Sequence, residues 1–218
     1  LNLGGTISGN STSNAGDVTL TNNATIITSA GTDNISGINS AAIIAQSVGG
    51  GGGASATSKG DAIRLGGIST ATEPGSLPTI STGNVEVTNK GILSTSSVGS
   101  AGLIAQSIAG GGGYVSQTGD YEEYAVSFGS TGAINAKAGN VNVNNTGAQI
   151  ATSANFSPAL VAQSIGGGGG FSLLTASGNG TTQLGSINNS GTASSGDVKI
   201  TARSILYTQG DYSSALTA

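Results

Sequence analysis

The sequence contains no cysteine, histidine, methionine or tryptophan, and only 7% of its 218 residues are charged. Each absence removes a class of chemistry. Without cysteine or histidine there is no thiolate or imidazole-assisted nucleophile and no disulfide framework, and no zinc or transition-metal cluster beyond carboxylate ligation. Ten acidic residues against six basic ones give a net charge of −4 and a pI near 4.4. The basic residues Lys59, Arg64, Lys90, Lys137, Lys199 and Arg203 are scattered along the chain, a poor basis for holding nucleic-acid phosphates. No run of 18 apolar residues exists, so no membrane-spanning helix is expected. Aromatic residues make up only 4%, too few to fill a compact core with large side chains. The missing cysteine suits a protein exported through an oxidising space, where a stray thiol would misbridge, and it also suits a cytosolic protein by chance.

What the chain does have is glycine, 39 of them, and a repeat. Ala-Ile-Ile-Ala-Gln-Ser-Val followed by five glycines spans Ala42–Gly53. It returns as Gly102–Gly113, with Ala109 in place of the first glycine of the run, and again as Ala159–Gly170. From Gln46 to Gln106 is 60 residues, and from Gln106 to Gln163 is 57. The tail Ser214–Ala218 matches Pro158–Ala162, so the chain is expected to be a slice of a longer array, with units 1–53, 54–113, 114–170 and 171–218.

Three further landmarks recur. Gly-Asp/Asn-Val-x-aliphatic begins at Gly16, Gly83, Gly139 and Gly196, a turn signal followed by strand-like alternation. The x residues Thr19, Glu86, Asn142 and Lys199 should face water. Leu3-Gly, Leu65-Gly, Phe128-Gly and Leu184-Gly lie upstream of that strand. Downstream of it come Ile26-Ile-Thr, Ile92-Leu-Ser, Ile150-Ala-Thr and Ile205-Leu-Tyr. Several short strands per unit, tight turns and no helix signal predict an all-β solenoid. Stacked coils bury Ile, Val and Leu in columns and satisfy each backbone group from the coil above or below. With about 20 residues per coil, a unit of about 57 would hold two or three coils, and the chain about eight to eleven.

Some polar residues sit where structure and binding compete. Asn22, Asn89 and Asn145 follow the alternating strand at equivalent positions. They read either as an amide ladder linking coils or as turn residues tolerant of left-handed backbone. Gln46, Gln106 and Gln163 lie inside apolar stretches. They read either as a binding row or, preferably, as glutamines bonded to backbone at a turn, since buried polar groups must find partners. The glycine run lacks the Gly-Lys-Ser/Thr of a phosphate loop and the Gly-Gly-x-Gly-x-Asp of a calcium roll, so neither metal nor cofactor is expected. A Thr-x-Thr row of the ice-binding kind occurs only at Thr19–Thr21 and does not repeat. The run reads as a hinge by which the chain leaves the coil, carries a loop and re-enters at Leu65, Phe128 or Leu184.

The segments after the glycine runs vary most, and regular scaffolds display recognition loops at such places. Tyr114–Ala125 gathers three of the five tyrosines and three of the ten acids. Aromatic residues with polar handles are enriched at contact surfaces, which nominates Tyr114, Asp120, Tyr121, Glu122 and Tyr124 as ligand contacts. The competing view is a solvated insertion. Adjacent Glu122 and Glu123 would point to opposite faces of a strand and form no pair for glycosidic cleavage; Asp120 and Glu122 could share a face, but acids in an exposed loop are far more often solvated.

Taken together, Gly-Asp/Asn-Val-x-Val, the Ile-centred strand and Ala-Gln-Ser-Ile with its glycines resemble the repeats of large bacterial autotransporter passenger domains. The resemblance implies a right-handed parallel β-helix, export to the cell surface through a C-terminal outer-membrane barrel absent from this sequence, and adhesion. The implied partner is a host-cell or extracellular-matrix protein or glycan, or a sibling bacterium, and not nucleic acid. The expectation is therefore a non-enzymatic adhesin segment. The alternatives are an inert spacer and, behind it, a glycan-active β-helix enzyme.

Overall fold

The computed structural model describes residues 2–3, 6–7, 10–29, 39–57, 62–71, 77–117, 123–174, 179–185 and 191–218. Among them the structure is all-β, and the paired strands run parallel. Each strand pairs with its counterpart one sequence unit away, so the strands form stacked sheets compatible with a β-solenoid.

Each sequence unit makes one layer. Val85–Asn89 pairs with Val18–Asn22 on one side and Val141–Asn145 on the other, and the latter pairs with Val198–Ala202. Leu103–Ile108 likewise lies between Ile43–Val48 and Leu160–Ile165, with Gln46, Gln106 and Gln163 in register. The expectation of two or three coils per unit is thus corrected to one. The reason is that a unit lays down up to seven short strands, each in a different sheet, before it returns over its starting point.

The stacked sheets enclose four separate apolar seams. Val85, Val87, Leu93, Leu103 and Ala105 meet with Val141, Val143, Ile150, Leu160 and Ala162, joining the Val-x-Val sheet, the Ile-centred sheet and the Gln-Ser sheet. Ile104 and Val161, on the opposite face of the Gln-Ser sheet, pack against Tyr114 and Leu173 of the sheet that follows the glycine run. Val115, from that sheet's other face, packs with Ile63, Leu65, Val126 and Phe128. In the second layer, all six residues of Leu103–Ile108 and all six of Gly112–Gln117 are buried. A parallel strand covered on both faces needs no polar alternation, which is why Leu-Ile-Ala runs on without a break.

The glycine run is therefore a corner of the core and not an exit from it. Gly50, Gly110 and Gly167 have φ of 84°, 86° and 82°, and the next two positions repeat the pattern in each layer. Only glycine adopts such a series without strain. The layers also touch here: a Cβ added to Gly112 would overlap the carbonyl of Gly169, and one added to Gly113 the carbonyl of Gly53. After the corner the chain stays in the stack as Gly52–Thr57, Gly112–Gln117 and Gly169–Leu174, three paired strands. The first position of the run, held by Gly49, Ala109 and Gly166, is not among the positive-φ residues, so the alanine fits; it is buried with Ile80, Ile134 and Ala136.

The Ile-centred landmark is corrected by one residue in two units. Leu93 aligns with Ile26 and Ile150, and Leu206 aligns with Ile150. Where two aliphatic residues are adjacent, sequence alone leaves open which one faces inward; Ile205 ends up 63% exposed.

Candidate functional site

Tyr114, the first of the nominated contact residues, is buried in the core at 1% exposure. Its hydroxyl donates to the Gly99 carbonyl at 2.9 Å, and its ring stacks on Phe171 of the next layer with centroids 6.3 Å apart. Burial pushes its phenol up to about 12, against a smaller opposing effect of the Ser116 hydroxyl. Tyr114 is thus corrected from a surface contact to a structural residue. The aromatic-rich pattern was real, but β-pairing from Gly112 to Gln117 takes this ring inward. Asp120, Tyr121 and Glu122 lie outside the described residues. Tyr124 belongs to the strand Glu123–Phe128, which pairs with Asn179–Leu184.

The glutamines and asparagines form ladders. Gln46 Nε2 donates to Gln106 Oε1 at 2.6 Å, and Gln106 Nε2 donates to Gln163 Oε1 at 2.7 Å. Gln106 also reaches the Gly113 carbonyl at 3.4 Å, so the expected side chain-to-backbone bond is present but secondary. Asn22 Nδ2 donates to Asn89 Oδ1 at 2.8 Å, and Asn89 Nδ2 to Asn145 Oδ1 at 2.7 Å. Ala202 interrupts the column, and Asn145 turns to the Ser204 hydroxyl instead. An amide carries both donor and acceptor, so identical amides stacked at layer spacing satisfy each other; this makes both rows structural.

One connection was missed by sequence reasoning. The serine after each glutamine reaches across the interior to the glycine of the Gly-Asp/Asn-Val turn. Ser47 Oγ donates to Gly16 O at 2.8 Å and accepts from Gly83 N–H at 3.1 Å. Ser107 does the same with Gly83 O and Gly139 N–H, and Ser164 with Gly139 O and Gly196 N–H. The signal was available, since serine and glycine recur together in these units. Their distance in sequence concealed the contact.

At the same corner, Asn84 N–H donates to Asp17 Oδ1, Asn140 N–H to Asn84 Oδ1 and Asp197 N–H to Asn140 Oδ1, at 2.7–2.9 Å. An open groove of about 640 Å³ runs along this column, bordered by Lys137. A second, of about 330 Å³, lies on the outward face of the Val-x-Val sheet between Asn142, Asn144, Thr146, Lys199, Thr201 and Arg203. The basic residues are scattered in sequence, but Lys199 and Arg203 border this groove, and register places Lys90 in the column of Thr146 and Arg203. Among the described residues, no three Asp or Glu side chains come together as a metal site.

Compared with protein-family models, curated proteins and solved structures, the chain matches none.

Proposed function

We propose that this chain is a non-enzymatic segment of an exported bacterial surface adhesin, folded as a right-handed parallel β-helix whose sides contact a host-cell, matrix or glycan partner. The observation that carries this reading is the width of the layer. One unit of 56 to 67 residues separates laddered partners and advances the stack by one strand spacing, about 4.8 Å. A coil of about 20 residues would give nearly three times that reach per residue. Such a broad cross-section, with two sheets buried on both faces in the second layer, is a poor way to gain length and a good way to hold lateral surfaces rigid. This favours binding over the spacer reading, whereas the burial of Tyr114 moves the contact away from the start of the nominated loop.

The test must spare the core strands. Replacing residues 118–122 with a Gly/Ser linker of equal length leaves Gly112–Gln117 and Glu123–Phe128 in place. Beads bearing the chain should adhere to matrix-coated surfaces or host cells. Loss of adhesion in the linker variant would assign contact to that loop, and retained adhesion would assign it to the sheet faces. No adhesion by either form would defeat the adhesive reading and leave the spacer.

A further inference from the structure

We propose that the groove along the Gly-Asp/Asn-Val corner is a binding site for a neutral, extended polysaccharide. The groove of about 640 Å³ exists because each layer puts a glycine at its floor: Gly83, Gly139 and Gly196 line it without side chains. None of the three can take a larger residue, since an added Cβ would overlap the layer before. Asp17, Asn84, Asn140 and Asp197 follow the floor glycines, one per layer, and border one side. Ser81 and Lys137, paired in register before the turn, border the other. Four layers make three strand spacings, so the file of Asp and Asn residues runs about 14 Å along the stack.

Three observations select the occupant. The first is a row of fixed, unspent donors and acceptors. The Oδ1 atoms of Asp17, Asn84 and Asn140 are each held by the backbone N–H of the next layer. That leaves Nδ2 of Asn84 and of Asn140 with no hydrogen bond among the described residues, and each aspartate with a carboxylate oxygen to spare. These groups are oriented before any ligand arrives, which lowers the ordering cost of binding. A sugar hydroxyl both donates and accepts, so it can use the carboxylates and the amides in one file.

The second observation excludes a peptide strand. The floor has no backbone to offer, because Gly83 and Gly139 give both N–H and carbonyl to the interior serines Ser47, Ser107 and Ser164. Strand addition needs such groups free. The third is charge. Asp17 and Asp197 in the groove, with Glu86 in the next register column, stand against Lys137 and against Lys199 of that column. Neither a polyanion nor a polycation meets an excess of opposite charge here, whereas a neutral polymer needs none. Because equivalent residues are in register from layer to layer, the file is straight and suits a linear chain.

The inference deepens the adhesive reading and rests on it for its biological setting, but its test needs only the isolated chain. Cellohexaose, mannohexaose and chitohexaose, all linear and neutral, are titrated by calorimetry, with hyaluronate and a proline-rich peptide as comparators. At least one hexasaccharide should bind, its disaccharide should bind about tenfold more weakly or worse, and raising the salt should change little. The column already alternates between aspartate and asparagine, so Asn140→Asp keeps the acceptor for Asp197 N–H and exchanges only the free donor. It should weaken binding about fivefold, the loss of one ordinary hydrogen bond, and Lys137→Ala about tenfold, the loss of a charge-assisted one. Circular dichroism of each variant, matching that of the parent, ties the change to the groove. The proposal is overturned if no hexasaccharide binds, if neither substitution matters, if salt abolishes binding, or if hyaluronate or the peptide binds as well. Adhesion to cells or matrix alongside such a failure would leave the adhesive reading standing, and hexasaccharide binding without adhesion would sink that reading and spare the groove.

Discussion

The glycine corner makes a graded prediction. Three glycine-to-alanine substitutions separate three effects. Gly16 has neither a positive φ nor any atom within 4 Å of an added Cβ. Gly16→Ala should be neutral or stabilise by up to about 1 kcal/mol, through the lowered entropy of the unfolded chain. Gly53 has φ of 140°, and again nothing lies within 4 Å of its added Cβ. Gly53→Ala therefore carries backbone strain alone, about 1–3 kcal/mol. Gly112 has φ of 142°, and its added Cβ would overlap the Gly169 carbonyl, far inside the 3.0 Å that real Cβ atoms respect. The third layer must move away, weakening bonds such as Gly169 N–H to Gly111 O at 3.1 Å. Overpacking of about 1–3 kcal/mol and about 1 kcal/mol for one lost hydrogen bond then add to the strain, for a total of about 3–7 kcal/mol. Urea denaturation followed by circular dichroism gives the midpoints. Because a stack is coupled mainly between neighbours, hydrogen exchange at the second and third layers reports the same change locally. If Gly112→Ala costs no more than Gly53→Ala, close layer contact is not what demands the glycine. If both match the parent, the conformational argument fails as well.

The remaining predictions concern buried polar groups. Gln106→Ala strands the Gln46 amide donor and the Gln163 acceptor and should lower stability by about 2–4 kcal/mol; Gln163→Ala, at one end of the described ladder, should lower it less. Both are read from thermal or urea midpoints, and equal losses would argue against a cooperative ladder. Asn89→Asp replaces a donor to Asn145 Oδ1 and Gly91 O with an acceptor, and should cost about 3 kcal/mol or more at neutral pH in the same assay. Tyr114 titrates at about 12 in the folded chain against 10 when unfolded, so its contribution is complete below pH 10 and is lost as pH rises towards 12, by up to about 3 kcal/mol. Tyr114→Phe should flatten the fall in stability between pH 10 and 12, while losing about 1 kcal/mol at neutral pH with the bond to Gly99.

Much of the architecture was legible because repetition gives the same information several times. The Gly-Asp/Asn-Val landmark and the Gln-Ser strand predicted their own register, and Val85, Val141 and Val198 do lie in line. Alternation also placed Thr19, Glu86 and Lys199 on the outward face. The site was less legible. An asparagine after a strand supports both a ladder and a turn, and only the number of layers per unit decides between them. Tyr114 was misjudged because a variable, polar segment resembles a loop until its pairing with Phe171 is seen. The column of Lys90, Thr146 and Arg203 was not legible, since these residues are far apart in sequence and are aligned only by stacking.

The sequence by itself determined that this chain is a repeating β structure without a thiol, an imidazole or a long apolar segment, and that its units stack. Composition and period are local properties, and they survive without knowledge of packing. Only the tertiary structure decided that each unit is a single wide layer, that the glycine run turns the chain back onto the core, and which amides pair. Those outcomes depend on which strands lie face to face. That is fixed by how the apolar residues of distant segments share one interior, as Val115 does with Leu65 and Phe128.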